Sequence, residues 1–256
     1  MSDLEVRLEA GTLWLTWNRP EQFNALTGQM VLGATQQLRG ATPRTDVRVV
    51  VLTGTGSAFS AGADLGGADA QQRYDAGSVD AANQIIRAIT ELDKPVVCGL
   101  NGIAAGVGMS VALACDLVVA TESAALTLAF TKVGLMPDGG ATATVAAAVG
   151  RARAMRLALL SEVISAREAY DAGLISHVFA DEEYAEGLNA IVHLLSTGAP
   201  LAFAATKKAV NAATLGGLGE AFARERAGQS LLLRTEDVAE GMRAFAEKRP
   251  ADFHGH

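Results

Sequence analysis

Residues 96–123 read VVCGLNGIAAGVGMSVALACDLVVATES. The segment VVCGLNG is an apolar run of strand length that closes on Asn-Gly. GVGMSVALACD follows and is apolar nearly all round, so as a helix it must lie deep inside the protein. LVVATES is again a short strand. A strand, a glycine loop, a buried helix and a further strand form a β-α crossover, which implies a largely parallel sheet with helices packed on its faces.

The same alternation extends outward from this stretch. Upstream, LEVRLEAGTLWLTWN (4–18) alternates apolar and polar residues on both sides of Ala10-Gly11-Thr12, the pattern of a β-hairpin with one buried face. GQMVLGATQQLRGA (28–41) has helical spacing with Thr27 as its N-cap. VRVVVLTG (47–54) is a buried strand, and VDAANQIIRAITELD (79–93) is a helix that leads through Lys94-Pro95 back to the opening segment. Downstream, ALTLAF (125–130) reads as a short strand. Beyond Gly150 the chain turns almost wholly helical, apart from LISHVFA (174–180). SAREA (165–169) has the capping-box pattern, with Ser165 and Glu168 in reciprocal positions. The expected organisation is a core over residues 1–195 and a helical C-terminal subdomain over 196–256. No linker separates them.

Composition narrows the function. With 256 residues, half of them apolar, the chain can bury one large core, and a net charge of -7 argues against a nucleic-acid surface. Basic runs such as GRARAMR (150–156) read as solvated helix faces. Cys98 and Cys115 each sit in an apolar run, so a disulfide framework is not expected and a reducing compartment is. The first residues have no apolar core of signal-peptide length, and no uninterrupted apolar run reaches about 18 residues. A cytoplasmic protein with no membrane partner is the expectation. His177, His193, His254 and His256 lack ligand spacing, so no metal site is expected.

Two glycine loops follow strands: TGTGSAFSAGADL (53–65) and NGIAAGVGMS (101–110). Neither carries the phosphate-binding Gly-Lys-Ser/Thr ending nor the third glycine of a dinucleotide fingerprint. Loops at the ends of neighbouring strands can each aim one backbone N–H at a shared oxygen, which would make an oxyanion hole. Asp138, in VGLMPDGGATATV (133–145), stands among apolar residues just before a helix. One reading makes it the N-cap of that helix. The other makes it a proton-carrying acid, because apolar neighbours such as Leu135 and Met136 favour the neutral form. Ser110, Asp138 and His177 fall in the chain order of a hydrolase triad, yet Ala112 occupies the place where the nucleophile turn needs glycine.

Taken together, NRPEQFNALT (18–27), GTGSAFSAGADL (54–65), NGIAAGVGMSVALACDLVVA (101–120), FTKVGLMPDGG (130–140) and FAEKRPADFHG (245–255) resemble the crotonase, or enoyl-CoA hydratase/isomerase, family over nearly the whole chain. The resemblance implies an α/β fold, a crotonase spiral of repeated ββα units, with a C-terminal helical subdomain for trimerisation. It implies acyl-CoA thioester substrates, no separate cofactor since coenzyme A arrives with the substrate, and a homotrimer or a hexamer made as a dimer of trimers. By position, Ala63 and Val107 match the backbone N–H donors of the oxyanion hole, although the family usually has glycine at the second. Asn24, Ala25, Ala61, Asp64 and Leu65 match segments of the CoA groove, and Phe245 and Lys248 match residues near the CoA phosphates, contributed by a neighbouring subunit. The two glutamates of family hydratases correspond to Ser110 and Phe130. Asp138 falls where isomerases of the phenylacetate-pathway type place their catalytic aspartate, and a dehalogenase branch uses an aspartate near there as a nucleophile. The resemblance therefore implies an isomerase that moves a double bond from 3,4 to 2,3. Its alternatives are a hydratase with atypical groups and an acyl-CoA binder without catalysis. The acyl-tail pocket is assigned to GGADAQQRYDAGSVD (66–80).

Overall fold

The structure, a computed structural model, describes residues 2–65 and 74–256. Most of the stretch assigned to the acyl tail, residues 66–73, therefore lies outside the described residues. The chain opens on a hairpin of β1 (Leu4–Glu9) and β2 (Thr12–Trp17), antiparallel in register Leu4 to Trp17. Ala10 and Gly11 both take positive φ, 47° and 79°, the turn that matches the twist of paired strands. Burial is less even than the alternation predicts. Leu13, Leu15 and Trp17 of β2 are sealed in the core, whereas Val6 and Leu8 of β1 remain substantially exposed. The reason is topological, for β1 is the edge strand of its sheet.

After α1 (Gly28–Ala41) comes a unit repeated three times: two strands and a helix. β3 (Val49–Gly54) and β4 (Ala58–Ser60) precede α2 (Ala76–Glu91). β5 (Val96–Leu100) and β6 (Ile103–Ala105) precede α3 (Val107–Ala114). β7 (Leu117–Thr121) and β8 (Ala125–Thr127) precede α4 (Ala141–Leu160), which breaks its helical dihedrals at Gly150. Two further strands follow, β9 (Ile164–Ser165) and β10 (His177–Phe179). The first strand of each unit joins a six-stranded sheet in the order β1-β2-β3-β5-β7-β10, and the second joins a four-stranded sheet in the order β4-β6-β8-β9. Each unit advances one place in both sheets, so the chain winds as a spiral. The single sheet suggested by the strand pattern is thus two sheets, because three-residue strands such as β4 and β6 leave too little periodicity to register.

The period-two geometry of β3 explains its unbroken apolar run. Val50 and Leu52 face the main core, while Val49 and Val51 face the other way, into a cluster with Val97, Val119, Leu188 and Val192. The last two belong to α6 (Tyr184–Thr197), which covers the outer face of the parallel strands. Both faces being covered, every exposed position on β3 is lost and the strand reads as continuous. α5 (Ala166–Asp171) has the predicted capping box, with Ser165 Oγ accepting from Glu168 N at 3.1 Å and Glu168 Oε2 accepting from Ser165 N at 2.9 Å. Thr27 caps α1 as expected, accepting from Met30 N.

Three helices complete the chain: α7 (Pro200–Thr214), α8 (Leu218–Leu232) and α9 (Glu236–Glu247). They are anchored by polar as well as apolar contacts. Lys207 of α7 is nearly buried, pairs with Asp116 at 2.8 Å and donates to the Ile89 and Lys94 carbonyls. Cys98 and Cys115 are both buried and free, as the sequence reading expects.

Candidate active site

The two glycine loops meet. A Cβ on Gly62 would lie 2.8 Å from the Ala105 carbonyl oxygen, and one on Gly108 would lie 2.8 Å from Ser60, so only glycine permits this approach. Leu26 forms a parallel bridge opposite Ala63 by donating to Gly62 O at 2.7 Å and accepting from Asp64 N at 3.0 Å. That pattern turns the Ala63 amide away from Leu26. Across the junction, Val107 is the first residue of α3, where a backbone N–H has no partner within the helix. Ala63 and Val107 both line one cavity of about 200 Å³, together with Leu26, Val31, Asp64 and Tyr74. Val107 is itself buried, and its branched side chain supplies part of the apolar wall.

Asp138 lies behind that wall and is wholly buried. The helix it precedes is capped by other means: Gly140 is the N-cap residue, and the Asp138 side chain makes no cap bond. The N-cap reading is therefore overturned. Glu225, reaching across from α8, does the capping instead. Its Oε2 accepts from Gly140 N at 2.7 Å, and its Oε1 accepts from Thr142 N at 3.0 Å and Thr142 Oγ1 at 2.6 Å. Among the described residues the Asp138 carboxylate is held through one oxygen. Oδ2 accepts from Gln229 Nε2 at 2.8 Å and from the Tyr74 hydroxyl at 3.2 Å. Oδ1 is buried and has no hydrogen-bond partner among those residues.

Burial dominates the acidity of this group. It raises the Asp138 pKa to about 7, with the neighbouring Glu225 charge adding to the rise and the hydrogen bonds from Gln229 and Tyr74 opposing it. A carboxyl at that value exchanges a proton readily near neutral pH. Tyr74 belongs to both features, since it lines the cavity and its hydroxyl donates to Asp138. Burial and the Asp138 charge push its phenol well above the ordinary range, so it stays protonated and donates to the carboxylate.

The remaining residues singled out from the sequence sort by position. Ser110 is buried in α3 and its hydroxyl donates to the Asp138 carbonyl at 2.8 Å, so it holds the loop. His177 lies on β10, stacked on Phe179, and no hydrolase triad assembles. Phe130 is buried in a 3-10 turn, Ala129–Val133. Neither Ser110 nor Phe130 offers a carboxylate. Asn24 takes positive φ, and its buried side chain accepts from Arg19 N and donates to the Thr55 and Ala58 carbonyls. It shapes the loop below the cavity and does not line it. Ala25 and Asp64 are tied by Arg19, which donates to the Ala25 carbonyl at 2.8 Å and to Asp64 Oδ2 at 2.9 Å. Ala61 is exposed and Leu65 is partly buried at the margin. Phe245 and Lys248 stand exposed at the end of α9, outside the cavity lining.

Tyr74 enters the sequence reading only within the 66–80 stretch assigned to the acyl tail, and that reading misses Gln229 and Glu225. For the last two a signal existed: Leu218, Ala221, Phe222, Glu225 and Gln229 form the buried stripe of α8, and two polar residues within an apolar stripe need buried partners.

Comparison with known proteins agrees with this architecture. The family profile described as enoyl-CoA hydratase/isomerase matches residues 7–256. A 1,2-epoxyphenylacetyl-CoA isomerase of Escherichia coli is 36% identical over 253 residues, 97% of each chain. A probable enoyl-CoA hydratase of Rhodobacter capsulatus is 40% identical over 253 residues, 98% of each. Among solved structures, an enoyl-CoA hydratase from Mycobacterium avium subsp. paratuberculosis superposes with a TM-score of 0.93 at 43% identity, covering 99% of both chains.

Proposed function

We propose that this chain, which belongs to the enoyl-CoA hydratase/isomerase family, moves a double bond in an enoyl-CoA from the 3,4 to the 2,3 position. One observation carries the reading: a buried carboxyl with a pKa near 7 and one bare oxygen stands behind the wall of a cavity lined by Ala63 and Val107. The thioester oxygen accepts from the Ala63 and Val107 amides. Asp138 removes a proton from C2, and the C–H electrons become the C1–C2 bond of a dienolate whose charge rests on that oxygen. The carbonyl then re-forms, the C1–C2 electrons become the C2–C3 double bond, and the former C3–C4 pair takes the proton back at C4. No electron leaves or enters. Each amide donor contributes roughly 3 kcal/mol to the transition state. The CoA portion extends along the rim of Ala25, Ala61, Asp64 and Leu65, over the loop that Asn24 shapes from within, and Phe245 and Lys248 approach the phosphates of a CoA bound by a neighbouring subunit in a homotrimer.

The hydratase reading has support in the names of relatives, and against it stand Ser110 and Phe130 at the places that family resemblance assigns to the water-activating glutamates. One panel assay discriminates. A 3-enoyl-CoA should gain the conjugated-thioester absorbance, and crotonyl-CoA should keep it. Loss of absorbance from crotonyl-CoA with none gained from 3-enoyl-CoA would favour the hydratase. Tight binding with no turnover would favour a non-catalytic binder, and an aspartyl ester trapped on Asp138 with an aryl-CoA substrate would favour nucleophilic displacement.

A further inference from the structure

Glu225 and Gln229 lie four residues apart on α8 and therefore on one face, one turn above the other. Both are fully buried. Between them they touch the catalytic loop on either side of Asp138. Gln229 Oε1 accepts from Met136 N at 3.3 Å while its Nε2 donates to Asp138 Oδ2. Glu225 takes the Gly140 and Thr142 amides and the Thr142 hydroxyl. The approach is close: Gly140 takes a φ of +76°, where glycine is favoured, and a Cβ there would fall 2.7 Å from Leu218, while the Met136 thioether packs against Gly228. Ser110 closes the third side by donating to the Asp138 carbonyl.

From this arrangement we infer that Glu225 and Gln229 are a pair of positioning residues, a clamp from the C-terminal helices in which Gln229, beside Tyr74, holds Asp138 Oδ2 while Glu225 fixes the loop just beyond it, leaving Oδ1 as the one oxygen that carries the proton. The inference deepens the isomerase reading and rests on it for the word catalytic. A shuttle between C2 and C4 on one face of a dienolate benefits from a single proton-carrying atom, because a carboxylate free to rotate would divide its time between orientations. The two residues act on Asp138 in opposite electrostatic senses. Gln229 donates to the carboxylate and so favours the anion; Glu225 presents a negative charge and so favours the neutral acid. Among the described residues, the titratable groups facing Asp138 are Glu225 on α8 and Tyr74 before α2. Arg224, with its guanidinium largely in solvent and paired to Glu220, acts on Glu225.

The opposition gives a test that a merely structural role would not satisfy. Full-length protein labelled with 13C at the aspartate carboxyl is titrated by NMR without substrate, the Asp138 signal being identified by its loss in Asp138→Asn. Gln229→Met should move the titration to higher pH, and Glu225→Gln, which removes the charge and keeps one carbonyl oxygen to accept from the Thr142 groups, should move it to lower pH. In the isomerase assay the acid limb of the rate should follow in the same two directions, with kcat lowered about tenfold in Gln229→Met and KM for the CoA ester changed less than twofold. Shifts in a common direction, or none, with both variants folded would overturn the clamp. Because the titration uses no substrate, opposite shifts without any isomerase activity would retain the clamp and sink the isomerase reading instead.

Discussion

The Tyr74 hydroxyl donates across 3.2 Å to Oδ2 of Asp138 while the same residue lines the cavity that Ala63 and Val107 also line. A residue in the cavity wall thus senses the protonation of the buried acid directly. The bond favours the carboxylate, so Tyr74→Phe should raise the Asp138 pKa further above 7 and shift the acid limb of kcat/KM upward. With the ring retained, the cavity keeps its shape. A hydrogen bond to a charged group contributes about 1.5 kcal/mol or more, so kcat at pH 7 should fall roughly tenfold with KM little changed. Steady-state pH profiles of the two proteins check this.

The raised pKa also makes a statement about stability. Asp138 titrates near 7 in the folded chain and near 3.9 when unfolded, so the folded state binds the proton more tightly. Its contribution to stability is fully present below about pH 4 and is lost as pH rises through about 7. Asp138→Asn substitutes a neutral group of the same shape. The variant should be more stable than the wild type above pH 7, by up to a few kcal/mol, and the difference should vanish towards pH 4. Urea unfolding at pH 4, 6 and 8 measures it.

Gly62 has a φ of +95° and a virtual Cβ 2.8 Å from the Ala105 carbonyl oxygen. Gly62→Ala must both strain that residue and part the two loops. We expect a loss of about 1–3 kcal/mol in stability and a fall in kcat larger than any change in binding, because the Ala63 and Val107 donors no longer converge. Thermal unfolding and steady-state kinetics on the same preparation separate the two effects.

Lys207 reaches from α7 to Asp116 and to the carbonyls of Ile89 and Lys94. Burial raises the Asp116 pKa against the opposing Lys207 charge. Lys207→Met would leave the partly solvent-accessible Asp116 carboxylate without its cation, and we expect a loss of roughly 1–3 kcal/mol. Adding Asp116→Asn should restore part of it. Chemical denaturation of both variants tests the anchoring of the C-terminal helices.

What could be read from the sequence is what neighbouring residues decide among themselves. The caps at Thr27 and Ser165 use partners three residues away, and the hairpin turn at Ala10-Gly11 uses adjacent dihedrals; all three stand in the structure. Asp138 shows the limit. A Pro-Asp-Gly-Gly sequence ahead of a helix has the local chemistry of a cap, yet the cap comes from Glu225, 85 residues beyond Gly140. Tyr74 bonds Asp138 across 64 positions and Gln229 across 91, so neither pairing leaves a local trace. The alternation of β1 predicts one buried face like that of β2, and its place at the sheet edge leaves Val6 and Leu8 exposed.

The most direct measurement is the rate of 3-enoyl-CoA isomerisation by Asp138→Ala beside calorimetric binding of a saturated acyl-CoA. Isomerisation should fall at least a hundredfold, the scale of a lost acid-base group, while the ester binds within a few-fold of wild type. Isomerisation at the wild-type rate in that variant would contradict the proton-carrying role of Asp138.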